Sequence, residues 1–312
     1  MATITGIGET VLDVIFKDDK PVAAVPGGST FNAMISLGRT VRSRFPGFAV
    51  RMVTRTGDDH IGDIVSRFMI SNGVSTEAVS RIPGTQTHVS MAFLDGSNDA
   101  SYEFYKVHED AFLTEGSYPQ IEFHRDDIVL FGSYFSINPT IRRHLVNLLE
   151  SAKAAGATLY YDINFRKNHL KDLDRTIGNI EENLRLSDIV RGSADDFSLV
   201  FGSRTPEEAY SGHVARLCPN FIYTSGAGPV HTFSTGIHLV HEMPPIYTVS
   251  TIGAGDNFNA GFIFGLIENG LYGKGRLNLS QEQWKLLVKR ASGFSANVCQ
   301  SSSNYVDEGF QP

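Results

Sequence analysis

The chain has 312 residues, 41% of them hydrophobic and 20% charged, and it carries a net charge of −7. This composition excludes a disordered chain and allows one large buried core; the acidic balance, with no run of Lys and Arg, excludes a duplex-binding surface. No stretch has the apolar length of a membrane span, the N-terminus meets Glu9 and Asp13 too early for a signal peptide, and Cys218 and Cys299 stand far apart without a CxxC, so a reducing cytoplasm is expected, with neither nucleic acid nor membrane as partner.

In chain order, Val11–Val25 is strand-like with no helix inside it. Ser29–Val41 follows as a helix, with Ser29 as the expected cap and Phe31, Met34, Ile35 and Val41 on one face. His88–Val107 reads as a hairpin, His88–Leu94 and Ser101–Val107 joined by a turn over residues 95–99. From there short apolar runs alternate with helical patterns. The strands are Ile128–Phe131, Thr158–Tyr161, Asp188–Val190 and Phe221–Thr224; the helices Pro139–Ala155 and Pro206–Leu217 both open with Pro, which suits a first turn. Alternation of this kind predicts an α/β fold with a mostly parallel sheet and helices on both faces. The two strand-like segments outside it, about residues 11–25 and 86–108, predict a small β-sheet lid inserted in a single domain over residues 1–312.

The segment Ser250-Thr251-Ile252-Gly253-Ala254-Gly255-Asp256-Asn257-Phe258 leads into a helix with Phe258, Gly261, Phe262, Gly265 and Leu266 on one stripe. Few polar residues interrupt it before Glu268, so the helix is expected to be deeply buried, with Gly261 and Gly265 admitting close neighbours. Backbone N–H groups at such a helix start favour an anion. A carboxylate beside an anion makes sense as a base for an attacking hydroxyl, which would make Asp256 catalytic; a Gly-rich turn with an Asp cap is the alternative reading of the same residues. Other signatures are absent. There is no GxxxxGK[ST] and no GxSxG, and Gly6-Ile7-Gly8 runs on to Val11 where a dinucleotide fingerprint needs a third glycine. His238 and His241 have HxxH spacing, but in a strand they face opposite ways, so they are read as structural.

Four ordered segments then resemble one family. Pro26-Gly27-Gly28-Ser29-Thr30-Phe31-Asn32-Ala33 is similar to the Gly-Gly…Asn motif of ribokinase-type (PfkB) carbohydrate kinases, Thr56–Gly62 to their Gly-x-Asp-x-x-Gly, Asp162-Ile163-Asn164-Phe165-Arg166 to their Asp-x-Asn-x-Arg, and Ser250–Asp256 to their C-terminal signature. Within the family the chain most resembles fructokinases. The resemblance implies a doubly wound ribokinase-like fold with a β-sheet lid, and an enzyme that uses ATP and Mg2+ to phosphorylate a sugar hydroxyl. It implies that the Gly253, Ala254 and Gly255 amides receive the phosphoryl group and that Asp256 activates the hydroxyl. Asp13, Gly28, Asn32, Lys106 and Arg166 would bind substrate, and Asn164, Ser193, Thr224, Gly226 and Gly228 the nucleotide. Asp196 would act indirectly on the metal. A homodimer formed through the lid is expected.

Three positions depart from the pattern: Ser250 stands for the first signature Asp, Ser193-Ala194-Asp195-Asp196 for Asn-x-x-Glu, and Ser302-Ser303 for a late Gly-Ala. The first and third weaken any monovalent-cation site, so little activation by potassium is expected. The substrate expected is fructose; 2-keto-3-deoxygluconate, ribose or a nucleoside are the alternatives within the family, and an inactive sugar-binding sensor is the alternative outside it.

Overall fold

Strands Ile128–Gly132 and Thr158–Asp162 are buried at every position, as strands covered on both faces must be. They belong to a computed structural model that describes residues 1–94, 100–106, 119–273 and 277–312. The fold is α/β, a large and mostly parallel sheet with helices and a separate small sheet rich in antiparallel pairs. By contacts the chain divides into one unit of residues 1–121, 246–264 and 290–312 and another of residues 122–245 and 265–289.

In the first unit β1 (Ala2–Ile7), β4 (Phe48–Gly57) and β5 (Val79–Ile82) run parallel, with β4 in the middle. The small sheet also lies in this unit. Its order is β3 (Lys20–Gly27), β2 (Val11–Lys17), β6 (Val89–Leu94) and β7 (Ala100–Tyr105). The segment that reads as one strand-like run is thus a hairpin, turned at Asp18 and Asp19, whose φ values of 50° and 59° suit a two-residue loop. Strand β2 then pairs in parallel with β6 and β6 in antiparallel with β7. The expected turn over residues 95–99 and the end of the hairpin at residue 107 lie outside the described residues.

The first helix runs Ser29–Arg44, but Ser29 does not cap it. Gly28 holds the cap position at φ 125°, and a Cβ there would stand 2.4 Å from the Glu9 carbonyl, so the chain enters the helix through a conformation that only glycine takes readily. The Ala254–Glu268 helix is apolar nearly all round, as expected. At Gly261 a Cβ would come within 2.7 Å of Ala291 Cα and Arg290 O, so the middle of the helix packs on the Gln281–Cys299 helix at near backbone contact.

In the second unit β8 (Ile128–Gly132), β9 (Thr158–Asp162), β10 (Ile189–Ser193) and β11 (Phe221–Thr224) follow one another in parallel, and β12 (Val230–Ser234) and β13 (Ile237–His241) add an antiparallel hairpin at the edge. Two helices are shorter than the pattern suggests. Pro139 lies in a turn after Ser133–Ile137, where Thr140 N–H donates to Asn138 Oδ1 at 3.0 Å, and the helix proper is Arg142–Ala155. Pro206 does open a helix, capped by Thr205, but it ends at Ala209 and widens into a π-turn over Tyr210–Val214, where Gly212 adds no helix propensity. Among the described residues no helix is long and apolar enough to cross a membrane.

Candidate active site

Two groups of chemistry-bearing residues form, one in each unit. In the first, β2 presents Asp13, the β3-to-helix turn presents Gly28, and the first helix presents Asn32 one turn on. Asn32 Nδ2 donates to Asp256 Oδ2 at 2.9 Å. Both side chains are nearly buried, Asn32 at 4% exposure and Asp256 at 8%. The other amide atom, Asn32 Oδ1, is buried with no partner among the described residues, an arrangement that costs about 1–3 kcal/mol unless a ligand donates to it.

The helix start carrying Asp256 is held from several sides. Gly253 has φ 76°, and a Cβ there would meet Asn304 O at 2.7 Å. Asn257 Nδ2 donates to Gly253 O at 2.8 Å and to Asn304 O at 2.9 Å, and Ser36 Oγ donates to Asn257 Oδ1 at 2.5 Å. The Ala254 amide, one of the three expected to receive an anion, donates to Thr251 O at 3.2 Å. At Ser250 the side chain closes its own turn, Oγ accepting from Ile252 N–H at 3.2 Å.

Asp13 accepts a short hydrogen bond from Ser90 Oγ. Burial pushes its carboxyl up to about 6, against the opposing pull of that hydrogen bond. Gly27 is required above it, since a Cβ there would overlap Asp13 Oδ2 at 1.9 Å. Beside it stands an acid that sequence reasoning used only to reject a signal peptide. Glu9 Oε1 lies 2.8 Å from Lys106 Nζ and 2.9 Å from His88 Nδ1. Burial alone would raise the Glu9 carboxyl, but the His88 hydrogen bond and the charges of Lys106 and His88 outweigh it and hold it down at about 2. Lys106, expected to meet substrate, therefore spends its charge on a carboxylate of its own unit.

The second group sits at the carboxyl ends of β9, β10 and β11, where ligands bind in open α/β sheets. Arg191 joins all three strands: Nη1 donates to Asp162 Oδ1 at 3.0 Å and Nη2 to Thr224 Oγ1 at 2.7 Å. Although its burial opposes the charge, the Asp162 carboxylate holds Arg191 firmly protonated. Sequence reasoning did not find Arg191; an Arg inside an apolar strand was the available signal. Asp196 forms a capping box with Ser193 at the start of the Ala194–Phe201 helix. Its Oδ1 accepts from Phe165 N–H at 2.7 Å and its Oδ2 from the Ser193 N–H and Oγ, both at 2.7 Å. Burial raises its carboxyl, as does the Asp162 charge. Asn164, between these partners, is buried and held at φ 39°. Gly226 has φ 56° in a turn closed by Gly228 N–H on Ser225 O at 2.8 Å, and nothing stands within 4 Å of where its Cβ would be. Arg166 is exposed and belongs to this unit rather than to the one holding Asp13, Gly28 and Asn32.

Residues 1–307 match the model described as pfkB family carbohydrate kinase. A fructokinase of Rhizobium leguminosarum bv. trifolii is 25% identical over 284 residues, covering 88% of this chain and 83% of that protein. A fructokinase of Escherichia coli is 24% identical over 310 residues, covering 96% of this chain and 97% of the other. Among solved structures, an aminoimidazole riboside kinase from Salmonella enterica superposes with a TM-score of 0.82 at 19% identity, over 99% of this chain and 97% of that one. A fructokinase from Vibrio cholerae, in its form with fructose, ADP and calcium, gives 0.80 at 18% identity, over 97% and 94%.

Proposed function

The chain belongs to the pfkB family of carbohydrate kinases, and on that premise we propose that it transfers the γ-phosphoryl group of MgATP to a hydroxyl of a neutral sugar, with fructose as the preferred acceptor. The observation that carries the site assignment is the buried pair Asn32 and Asp256, with Asn32 Oδ1 left to accept from a ligand hydroxyl. On this reading Asp256 takes the proton as that hydroxyl attacks, and Asn32 holds both the base and the sugar. Asp13 accepts a second sugar hydroxyl, and the turn at Gly28 lets the sugar approach the backbone. A positioned base of this kind contributes on the order of 10²–10⁴ in rate.

The second unit would hold the nucleotide. Its backbone is open at Gly226, and Asn164, Ser193 and Thr224 offer polar atoms at the carboxyl ends of the strands. When bound, magnesium supplies neutralisation of the developing phosphoryl charge. Both Asp196 oxygens already accept hydrogen bonds, so this carboxylate fits a contact through water and not direct ligation. The Gly253 turn and the Gly255 amide are left as the receivers of the transferred group.

The choice of a neutral sugar rests on Lys106. A sugar acid needs a cation for its carboxylate, and Lys106, expected to touch substrate, is paired to Glu9. The test is ADP release across a panel of fructose, ribose, 2-keto-3-deoxygluconate, adenosine and aminoimidazole riboside. The highest kcat/KM is expected for fructose. The sugar acid or a nucleoside ranking first would overturn the substrate assignment, and no ADP release with any acceptor would overturn the kinase reading in favour of a sugar-binding sensor.

A further inference from the structure

In the second unit three side chains that the reading above does not use, two of them from one hairpin, come together. In the β12–β13 hairpin His231 lies opposite Val240 and Phe233 opposite His238. His231 and His238 are therefore diagonal neighbours on one face, near enough for long side chains to meet. His241, the other member of the HxxH pair, falls on the opposite face, where its Nε2 is 2.9 Å from Thr232 Oγ1. On the first face His231 Nδ1 and His238 Nε2 stand 3.1 Å apart, and Glu207 Oε1, from the helix opening at Pro206, is 3.8 Å from His238 Nε2. All three donor atoms lie within 4.8 Å of one another, and among the described residues no other group of three His, Cys, Asp or Glu meets that condition.

We propose that Glu207, His231 and His238 form a site for a late first-row divalent cation such as zinc, binding through two imidazole nitrogens and one carboxylate oxygen. The edge lengths fit. In tetrahedral zinc with ligands at about 2.0–2.1 Å, two donors are about 3.4 Å apart; the separations of 3.1 and 3.8 Å fall on either side of that value, and the third is within 4.8 Å. Hydrogen bonding alone accounts for the arrangement less well. A proton on His238 Nε2 can be given to His231 Nδ1 or to Glu207, and Glu207 at 3.8 Å is beyond hydrogen-bond distance. A cation satisfies all three lone pairs together. The donor set also selects the ion: imidazoles suit zinc, nickel and cobalt, whereas magnesium prefers oxygen.

The rings are held for the task. The Phe233 ring stacks on His238 with centroids 4.2 Å apart, and the Tyr223 ring meets His231 edge-on at 6.3 Å. Three protein ligands leave a fourth position for water, and the His238 side chain is 36% exposed, so the ion can enter from solvent. Binding ties the edge hairpin to the helix beginning at Pro206, and its effect is to stabilise this edge of the sheet.

The test is calorimetric titration of the chelator-treated full chain with zinc alone, without nucleotide, beside the variants His231→Ala, His238→Ala and Glu207→Gln. Circular dichroism establishes that each variant is folded. Wild type is expected to bind one equivalent at micromolar zinc, excess magnesium should not displace it, and its Tm should rise with zinc. Either histidine variant should lose that equivalent, weakening it by more than the roughly 100-fold that loss of a supporting residue around a metal ligand causes, and its Tm should not respond. Failure of the wild type to bind, or an equivalent that survives in either histidine variant, overturns the proposal.

Discussion

Asn32 donates from Nδ2 to Oδ2 of Asp256 across 224 positions of sequence, at 2.9 Å and with both side chains nearly buried. The bond fixes the rotamer of the carboxylate, the group that on the proposed reading meets the substrate hydroxyl. Asp256→Asn keeps the shape, and Asn32 can still donate to the oxygen that remains. It removes the ability to take a proton. We expect kcat to fall by about 10²–10⁴ with KM within a few-fold, because the loss is felt in the transition state. Thermal unfolding on the same sample should show little change. A variant that keeps more than about a tenth of wild-type kcat removes Asp256 as the base.

Glu9 sets the charge that Lys106 presents. In Glu9→Gln the lysine keeps its place but loses the carboxylate at 2.8 Å, so the ratio of kcat/KM for a sugar acid to that for fructose should rise several-fold. The same variant has a pH signature. The folded Glu9 carboxyl is held at about 2, below its unfolded value of 4.5, so its contribution to stability is present above pH 4.5 and is lost as pH falls toward 2. The variant should lack that acid-dependent loss. An unchanged substrate ratio would separate Glu9 from specificity.

How much of this was legible follows from sequence distance. The Gly253–Asp256 turn could be read because its chemistry sits in four consecutive residues, and the parallel strands could be read because burial on both faces writes an unbroken apolar run. Arg191 could not, since its partners are 29 and 33 positions away and meet it only through the parallel register of β9, β10 and β11. Glu9 was equally silent, because His88 and Lys106 lie 79 and 97 positions on. The HxxH spacing pointed to His241, whereas the hairpin register sets His238 diagonally beside His231. Helix lengths were misjudged where a Pro suited to a first turn preceded a turn, as at Pro139.

Ser250 bears on monovalent cations. Its hydroxyl closes a local turn on Ile252 N–H, and it offers no carboxylate, the oxygen ligand that hard cations prefer. Replacing sodium with potassium at constant ionic strength should change the sugar-dependent ADP release by less than about two-fold, given that missing charge. A several-fold rise would show that a cation site survives without it.

Arg191 makes a sharp prediction about stability. Its guanidinium joins the ends of three strands, and its Asp162 partner has a side chain only 6% exposed. Arg191→Met preserves bulk but leaves that carboxylate buried without its counter-charge, a change that typically costs about 3–5 kcal/mol. Urea unfolding should show a loss of this size. Arg191→Lys should lose less, because the charge stays and one of the two hydrogen bonds can re-form. Equal losses in both variants would mean that the contribution is packing and not charge.

Asp13 should show the opposite trade, stability given up for binding. Burial, opposed by the hydrogen bond from Ser90, raises its folded pKa from 3.8 to about 6. A raised folded value means that the native state holds the proton more tightly than the unfolded chain does. The group's contribution is therefore fully favourable below pH 3.8 and is lost as pH rises through about 6, leaving a penalty of about 3 kcal/mol at pH 8. Asn at this position carries no charge to bury, and its Oδ1 can still accept from Ser90 Oγ. Asp13→Asn should thus be more stable than wild type at pH 8 by up to that amount, and the difference should close by pH 4. Sugar binding should move the other way. The ionised carboxylate is the stronger acceptor for a sugar hydroxyl, so KM for fructose should rise at least several-fold in the variant at pH 8, and wild-type KM should itself rise as pH falls below about 6. Chemical unfolding from pH 4 to pH 8 and KM over the same range decide the matter together. A stability difference that does not vary with pH would show that Asp13 is not a buried charge, and an unchanged KM would take it out of the sugar site.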